Sequence, residues 1–259
     1  LASLSFSLPP AKKKKNWGIN AYEGVIQMDL IWEGLVQAAK LLLAGDPEMI
    51  EVTLLTLQVS GTATLISVII GVPLGVFLAL QRFRLRNLAV GVVNTGMGMP
   101  PTVVGLFVSI LMWRHGPLGF FGLMYTPTAM IIAQSLIALP LVTGFTMAGV
   151  QQLNPKLTLQ ILAMGASRWQ LWWLLIREAR LSLLAAVIAG FGGVVSEVGA
   201  SMMVGGNIKG HTRVLTTAVV MEVSRGHFAM AIALSIILLA LAFAITMSLT
   251  KIQQRGGGR

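Results

Sequence analysis

The chain has 259 residues, of which 55% are hydrophobic and only 11% charged, with a mean hydropathy of +0.80. That balance excludes a soluble globular domain. The formal charge of +10 sits in connecting segments and in Lys12–Lys15, which speaks against a nucleic-acid partner, and with no cysteine there is no disulfide, thiol or thiolate-metal chemistry to consider.

Residues 1–27 differ from everything after them. The lysine run is isolated, no 7–15-residue apolar core follows it as a signal peptide requires, and regular periodicity begins at Met28. The expectation is a tail at 1–27, disordered or foreign to the native protein, with Met28 as the start. From Leu30 to Ala44 the pattern is helical, with Ile31, Leu35, Ala38 and Leu42 on one face and Glu33, Gln37 and Lys40 on another. At 1.5 Å per residue this stretch is about 22 Å long, short of a span, so it reads as an amphipathic helix lying along the membrane surface, with a further span as the alternative.

Five apolar runs then recur, at Val52–Leu80, Leu88–Trp113, Thr128–Val150, Leu181–Val198 and Phe228–Leu249. A hydrocarbon core of about 30 Å needs roughly 20 helical residues, and the runs lack the period-two alternation of a membrane barrel. The fold class is an all-α membrane protein of five transmembrane helices preceded by the interfacial helix, with a membrane domain over 28–254 and a short tail at 255–259. Arg82, Arg84 and Arg86, the basic residues of the segment 154–180, and Lys251, Arg255 and Arg259 fall in alternate connections. By the positive-inside rule those are cytoplasmic, the C-terminus included.

Two spans are irregular. Pro100-Pro101 interrupts the second, close after Gly96 and Gly98, and removes two backbone donors; the result is either a structural kink or a broken helix beside a substrate path, with Asn94, Thr95 and Thr102 near enough to supply hydrogen bonds. Pro140 in the third reads as a simple kink. The fourth ends in Gly190-Phe-Gly-Gly-Val-Val-Ser196-Glu197-Val-Gly199, where small residues let helices approach closely. Glu197 is the one acid within these spans, and its expected role is a buried ion pair or gate hydrogen bond, with Arg213 as candidate partner. The following connection holds Gly205, Gly206, Asn207, Lys209, Gly210, Thr212 and Arg213, a composition able to form an anion nest or, more plainly, a tight reversal.

Between the third and fourth spans lies a polar segment, 154–180. Asn154-Pro155 signals a helix start, Lys156–Met164 a short helix, Gly165 its close, and Ser167 the cap of a second amphipathic helix that carries Trp169, Trp172 and Trp173. A helix, a glycine and a helix on an inner face make a docking surface, with Leu162, Gly165, Ala166, Ser167, Arg168 and Trp169 at its tip.

This segment resembles the coupling loop of ABC-importer permeases, although Leu159, Gln160 and Ile161 stand where that family carries an acid and two alanines, and Ile176-Arg177 where it carries Leu-Pro. Ser196-Glu197-Val-Gly-Ala followed by Gly205-Gly206-Asn207-Ile208-x-Gly210-x-Thr212-Arg213 is similar to the end of molybdate, sulfate and tungstate permeases, with Val198 in place of phenylalanine and Lys209 in place of proline; Arg213-Val-Leu-Thr-Thr-Ala and Ile176-Arg-Glu-Ala-Arg180 look like the tungstate branch. The resemblance implies a translocation subunit rather than an enzyme, in a prokaryotic inner membrane. Its implied partners are a second copy of the chain, two ATPase subunits that hold ATP and magnesium, and an extracytoplasmic oxyanion-binding protein. No cofactor is expected on this chain, which contains no Gly-Lys pair and hence no Walker-type phosphate loop. Pro100, Pro101, Ser196, Glu197, Gly206, Asn207, Thr212 and Arg213 are the candidate path or gate residues. A passive anion channel or secondary transporter remains the alternative class.

Overall fold

The computed structural model describes residues 21–257, and the helices expected from sequence dominate it. The longest is α2, Pro47–Leu80. Asp46 caps it by accepting the Met49 N–H at 2.9 Å, and Pro47 occupies its first turn, where a missing N–H costs nothing. At about 51 Å it exceeds a bilayer core.

α5, Pro127–Gln151, is its main partner. The two approach closely because small residues line the seam: a Cβ on Gly75 would lie 2.7 Å from the Thr143 carbonyl oxygen, and Ser67 donates across the seam to the Ser135 carbonyl at 3.0 Å. Val59, Ala133, Ile137 and Ala138 form the centre of the core.

The second apolar run divides into α3, Arg86–Met97, and α4, Pro101–Met112, bent by 103° at the proline pair. The fourth divides into α8, Arg180–Val195, and α9, Gly199–Gly205, bent by 59°. The helix of the fourth run, Leu181–Val198, ends at Val195, so the bend falls at the run's last residues. α10, Leu215–Ser224, leads into α11, Phe228–Gly257. Among the described residues three helices are long and apolar enough to cross a membrane alone, or up to five spans result if each bent pair counts as one.

α1 runs from Ala21 to Ala44, so it is about 36 Å long rather than 22 Å and begins inside the stretch expected to be tail; the remainder of that tail lies outside the described residues. It packs on α11 through Gly34 and Ala38, a Cβ on Gly34 falling 2.3 Å from Ile232 Cγ2, whereas Ile31 and Leu35 remain exposed. The buried face is thus the small-residue one and not the face with the largest apolar side chains, since only the former lets the two backbones come together.

Basic residues stand at both ends of the molecule, and those at one end are interleaved with acids. Arg86 donates to the Leu78 carbonyl at 2.9 Å, and Leu80 and Leu153 pack on the 154–180 segment. Gln253, near the end of α11, donates to the Leu181 carbonyl at 3.0 Å, so α11 finishes at that same end. The opposite end collects Glu48, Lys209, Arg213, Glu222 and Arg225.

Candidate functional site

Two regions carry the candidate residues. The first is the 154–180 segment. Asn154 accepts the Lys156 N–H at 2.9 Å and starts α6, Pro155–Ala163. Gly165 takes φ +80°, a conformation that an L side chain adopts only under strain, and so reverses the chain within a few residues. Ser167 then begins α7, Arg168–Glu178, with a complete capping box: its hydroxyl accepts the Gln170 N–H at 3.3 Å and the Gln170 side chain accepts the Ser167 N–H at 2.8 Å.

Ile161, Leu171 and Leu175 bury themselves beneath this hairpin, against Leu80 and Leu153, and hold it to the membrane helices. The outer side is different. Leu162, Met164 and Trp169 are exposed around Gly165, Trp169 to 78%, and a cavity of about 710 Å³ is lined there by Met164, Gly165, Ala166 and Trp169. Ser167 and Arg168 stand at the same tip. The tip thus presents exposed apolar side chains on an otherwise polar loop. Of the three tryptophans, Trp169 and Trp173 are exposed while Trp172 packs inward among Val72, Val76 and Ile176.

The second region is where both bent helices break. The break before α4 and the break before α9 lie side by side: a Cβ on Gly199 would fall 2.5 Å from Thr102 Cγ2, and one on Gly105 would fall 2.6 Å from the Ala200 Cα. Pro140 joins them, because Gly96 packs on its ring, with 2.9 Å to a built Cβ, so this proline sits beside the end of α3, close to the proline pair. Pro100 and Pro101 are therefore brought together with Ser196 and Glu197, halfway along α5. Pro100, Thr102 and Ser196 are exposed on this face; Glu197 is buried.

Glu197 does not pair with Arg213. Its Oε1 accepts the Ala200 N–H at 2.8 Å at the start of α9, and its own carbonyl accepts the Thr216 hydroxyl at 3.0 Å. The carboxylate thus complements the positive end of α9 and satisfies a buried donor there. Arg213 turns instead to Glu48 at 3.3 Å, and Lys209 binds the same carboxylate at 2.5 Å.

Gly206, Asn207, Thr212 and Arg213 form a closed turn at the far end of α9, about 10 Å from the breaks by helical rise. Gly206 and Asn207 are left-handed, at φ +71° and +53°. Thr212 is fully buried; it donates to the Gly205 carbonyl at 2.6 Å and accepts the Ile208 N–H at 3.0 Å, while the N–H groups of His211, Thr212 and Arg213 all reach the Ile208 carbonyl. These amides are bonded within the turn, as the tight-reversal reading of the segment requires.

Sequence reasoning missed the Glu48 latch and the Thr216 tie, since both join positions far apart in the chain. Thr102 was noticed only as a neighbour of the prolines, yet it is the point where the two breaks touch.

The family described as a binding-protein-dependent transport system inner membrane component matches residues 71–256. A tungstate uptake system permease protein TupB from Peptoclostridium acidaminophilum is 43% identical over 227 residues, covering 88% of this chain and all of that protein. The TupB of Campylobacter jejuni is 36% identical, covering 88% of this chain and 96% of its own length. A molybdenum transport system permease protein ModB from Azotobacter vinelandii is 30% identical, covering 68% of this chain and 82% of its own. Among solved structures, a bacterial ABC transporter involved in alginate import aligns with a TM-score of 0.69 at 16% identity, over 92% of this chain and 90% of that one, which speaks to the fold alone. With an α6–Gly165–α7 hairpin at one end, two helices broken side by side at mid-span and a family match over most of its length, the chain belongs to the inner membrane components of binding-protein-dependent transport systems.

Proposed function

We propose that this chain is the translocation subunit of an ATP-driven importer for a tetrahedral oxyanion, with tungstate as the substrate. The observation that carries the reading is the 43% identity to a tungstate uptake permease over that protein's whole length. Molybdate and sulfate permeases are similar at lower identity, 30% for ModB of Azotobacter vinelandii and 23% for CysT of Escherichia coli, which ranks those anions behind tungstate.

The working assembly has two copies of this chain, two ATPase subunits bearing ATP and magnesium, and an oxyanion-binding protein on the outer side. Leu162, Gly165, Ala166, Ser167, Arg168 and Trp169 enter the ATPase surface, and α6 and α7 carry its movement into α5 and α8. The C-terminus and the hairpin share the cytoplasmic side, in agreement with the basic residues gathered there.

The anion passes the mid-span junction of Pro100, Pro101, Thr102 and Ser196. Of the two half-helix starts at that junction, α9 is already complemented by Glu197, whereas α4 has no side-chain cap, so its positive end is the one that faces a passing anion. The turn bearing Gly206, Asn207, Thr212 and Arg213, latched to Glu48, serves as an outer gate that must release for entry. Rocking of the two copies about this junction gives alternating access.

The test is ATP-dependent uptake into proteoliposomes that contain this chain, its ATPase and its binding protein, with tungstate competed by molybdate and sulfate. Tungstate taken up in preference supports the assignment. Preference for molybdate or sulfate corrects the substrate, and flux without ATP replaces the importer with a passive channel or secondary transporter.

A further inference from the structure

The helix α3, Arg86–Met97, has no buried residue, and by helical spacing it shows three faces. One meets α5: Gly96 packs on the Pro140 ring and Met97 lies against Gly144. A second is apolar and open, with Leu88 and Val92 65% and 64% exposed. The third is polar and equally open. Asn87, Gly91, Asn94 and Gly98 recur along it at steps of four, three and four, with Thr95 at its border, and all five are exposed. Among the described residues the side chains of Asn87, Asn94 and Thr95 make no hydrogen bond, and a Cβ on Gly91 would meet nothing within 4 Å.

We propose that this polar face of α3 walls the wet inner half of the anion's path, with the Asn94 amide and the Thr95 hydroxyl as neutral donors to the passing anion. Depth selects water over lipid. Asn94 precedes Gly96 by two residues, about 3 Å of rise, and Gly96 sits against Pro140, halfway along α5. An unbonded amide at that depth is tolerated only against protein or water. Composition selects water over a second copy of the chain. Dry seams between membrane helices are built from small and apolar residues with an occasional polar one, whereas three of these five positions are polar and each would need a partner of its own. The face is continuous with the junction described above, since exposure continues at Gly98, Met99, Pro100 and Thr102. From that junction α3 leads back to Arg86, which is tied to the Leu78 carbonyl near the end of α2. No acid stands on α3 to repel an anion, and amide and hydroxyl groups donate without the lasting hold of a fixed positive charge. That the solute is an anion, and that this half is the cytoplasmic one, rests on the function proposed above; that the face is wet does not.

The experiment introduces single cysteines into the permease–ATPase complex in nanodiscs and follows their modification by the sulfonatoethyl methanethiosulfonate anion as a mass shift of this chain. It is run without nucleotide and with an ATP analogue. Because the thiolate is the reacting form and needs water, Asn94→Cys should react about tenfold faster than Val92→Cys in at least one of the two states. Asn94→Leu should lower ATP-dependent oxyanion uptake about tenfold, as expected for one lost hydrogen bond to a charged group, while Val92→Leu leaves it unchanged. Equal rates at Asn94→Cys and Val92→Cys in both states would overturn the proposal. So would an Asn94→Cys variant that links spontaneously to the second copy and stays closed to the reagent, since α3 would then be a subunit seam. Full uptake by Asn94→Leu would remove the donor role. Thiol reactivity does not depend on which solute is carried, so a failed substrate assignment leaves the first result readable.

Discussion

Glu197 shows how an expensive residue settles into a structural task. A carboxylate 9% exposed within a bent span is held by the Ala200 N–H and by a backbone tie from Thr216, with no arginine against it among the described residues. Its value lies in the acceptor oxygen that begins α9. Replacing Glu197 by Gln keeps an oxygen of similar reach, whereas Glu197→Ala leaves the Ala200 N–H buried without a partner, at a cost of about 1–3 kcal/mol. Thermal unfolding in detergent should therefore fall by about 2–4 °C per kcal/mol for Glu197→Ala, and clearly less for Glu197→Gln. Equal losses would mean that the charge, and not the cap, is what matters. The importance of this residue was legible in sequence because one acid among apolar neighbours is conspicuous. Its partner was not: the pairing chosen from loop chemistry gave it Arg213, and Arg213 lies against Glu48, 165 positions away.

At the level of elements, what could be read in advance followed the strength of the local signal. The α6–Gly165–α7 hairpin was legible almost residue by residue, since Asn154-Pro155, Gly165 and the Ser167–Gln170 box are short-range devices whose geometry depends on little else. The α3–α4 break was legible because two prolines cannot continue a ladder of backbone hydrogen bonds. The α8–α9 break was not, because no proline marks it. Glycines and a glutamate end that helix only once Thr102, Ala200 and Thr216 surround them, and those contacts come from other elements. The hairpin also supplies the clearest functional variant. Gly165 is left-handed with open space about it, so Gly165→Asp strains one residue at an exposed tip and sets a charge amid Leu162, Met164 and Trp169. The permease should express and unfold normally, lose co-purification with its ATPase, and lose uptake by at least tenfold. Normal ATPase binding in that variant would remove the hairpin from the docking role.

For the whole molecule, the two breaks lie on a face that a single chain does not close. Pro100, Thr102, Ser196, Met202 and Met203 are exposed there, although they stand at mid-span, where exposed hydroxyls and interrupted backbone are tolerated only against protein or a wet cavity. A second copy related by two-fold symmetry would cover this face and place two α4 starts across a shared path, which is where a symmetric dimer puts equivalent residues close together. The chain contains no cysteine, so single introduced thiols report without background. Ser196→Cys and Met203→Cys should therefore each give a covalent dimer with a short bis-maleimide, in the membrane and with the ATPase present. Leu239→Cys on α11, 68% exposed and on a different helix, should not. If the halves rock as proposed, the Ser196 cross-link should also fall when tungstate, the binding protein and ATP analogue are added together, because the junction would then move. Dimers linked through Leu239 but never through Ser196 would put the subunit contact on α11, and the path would then have to run inside one chain, between α4, α5 and α9.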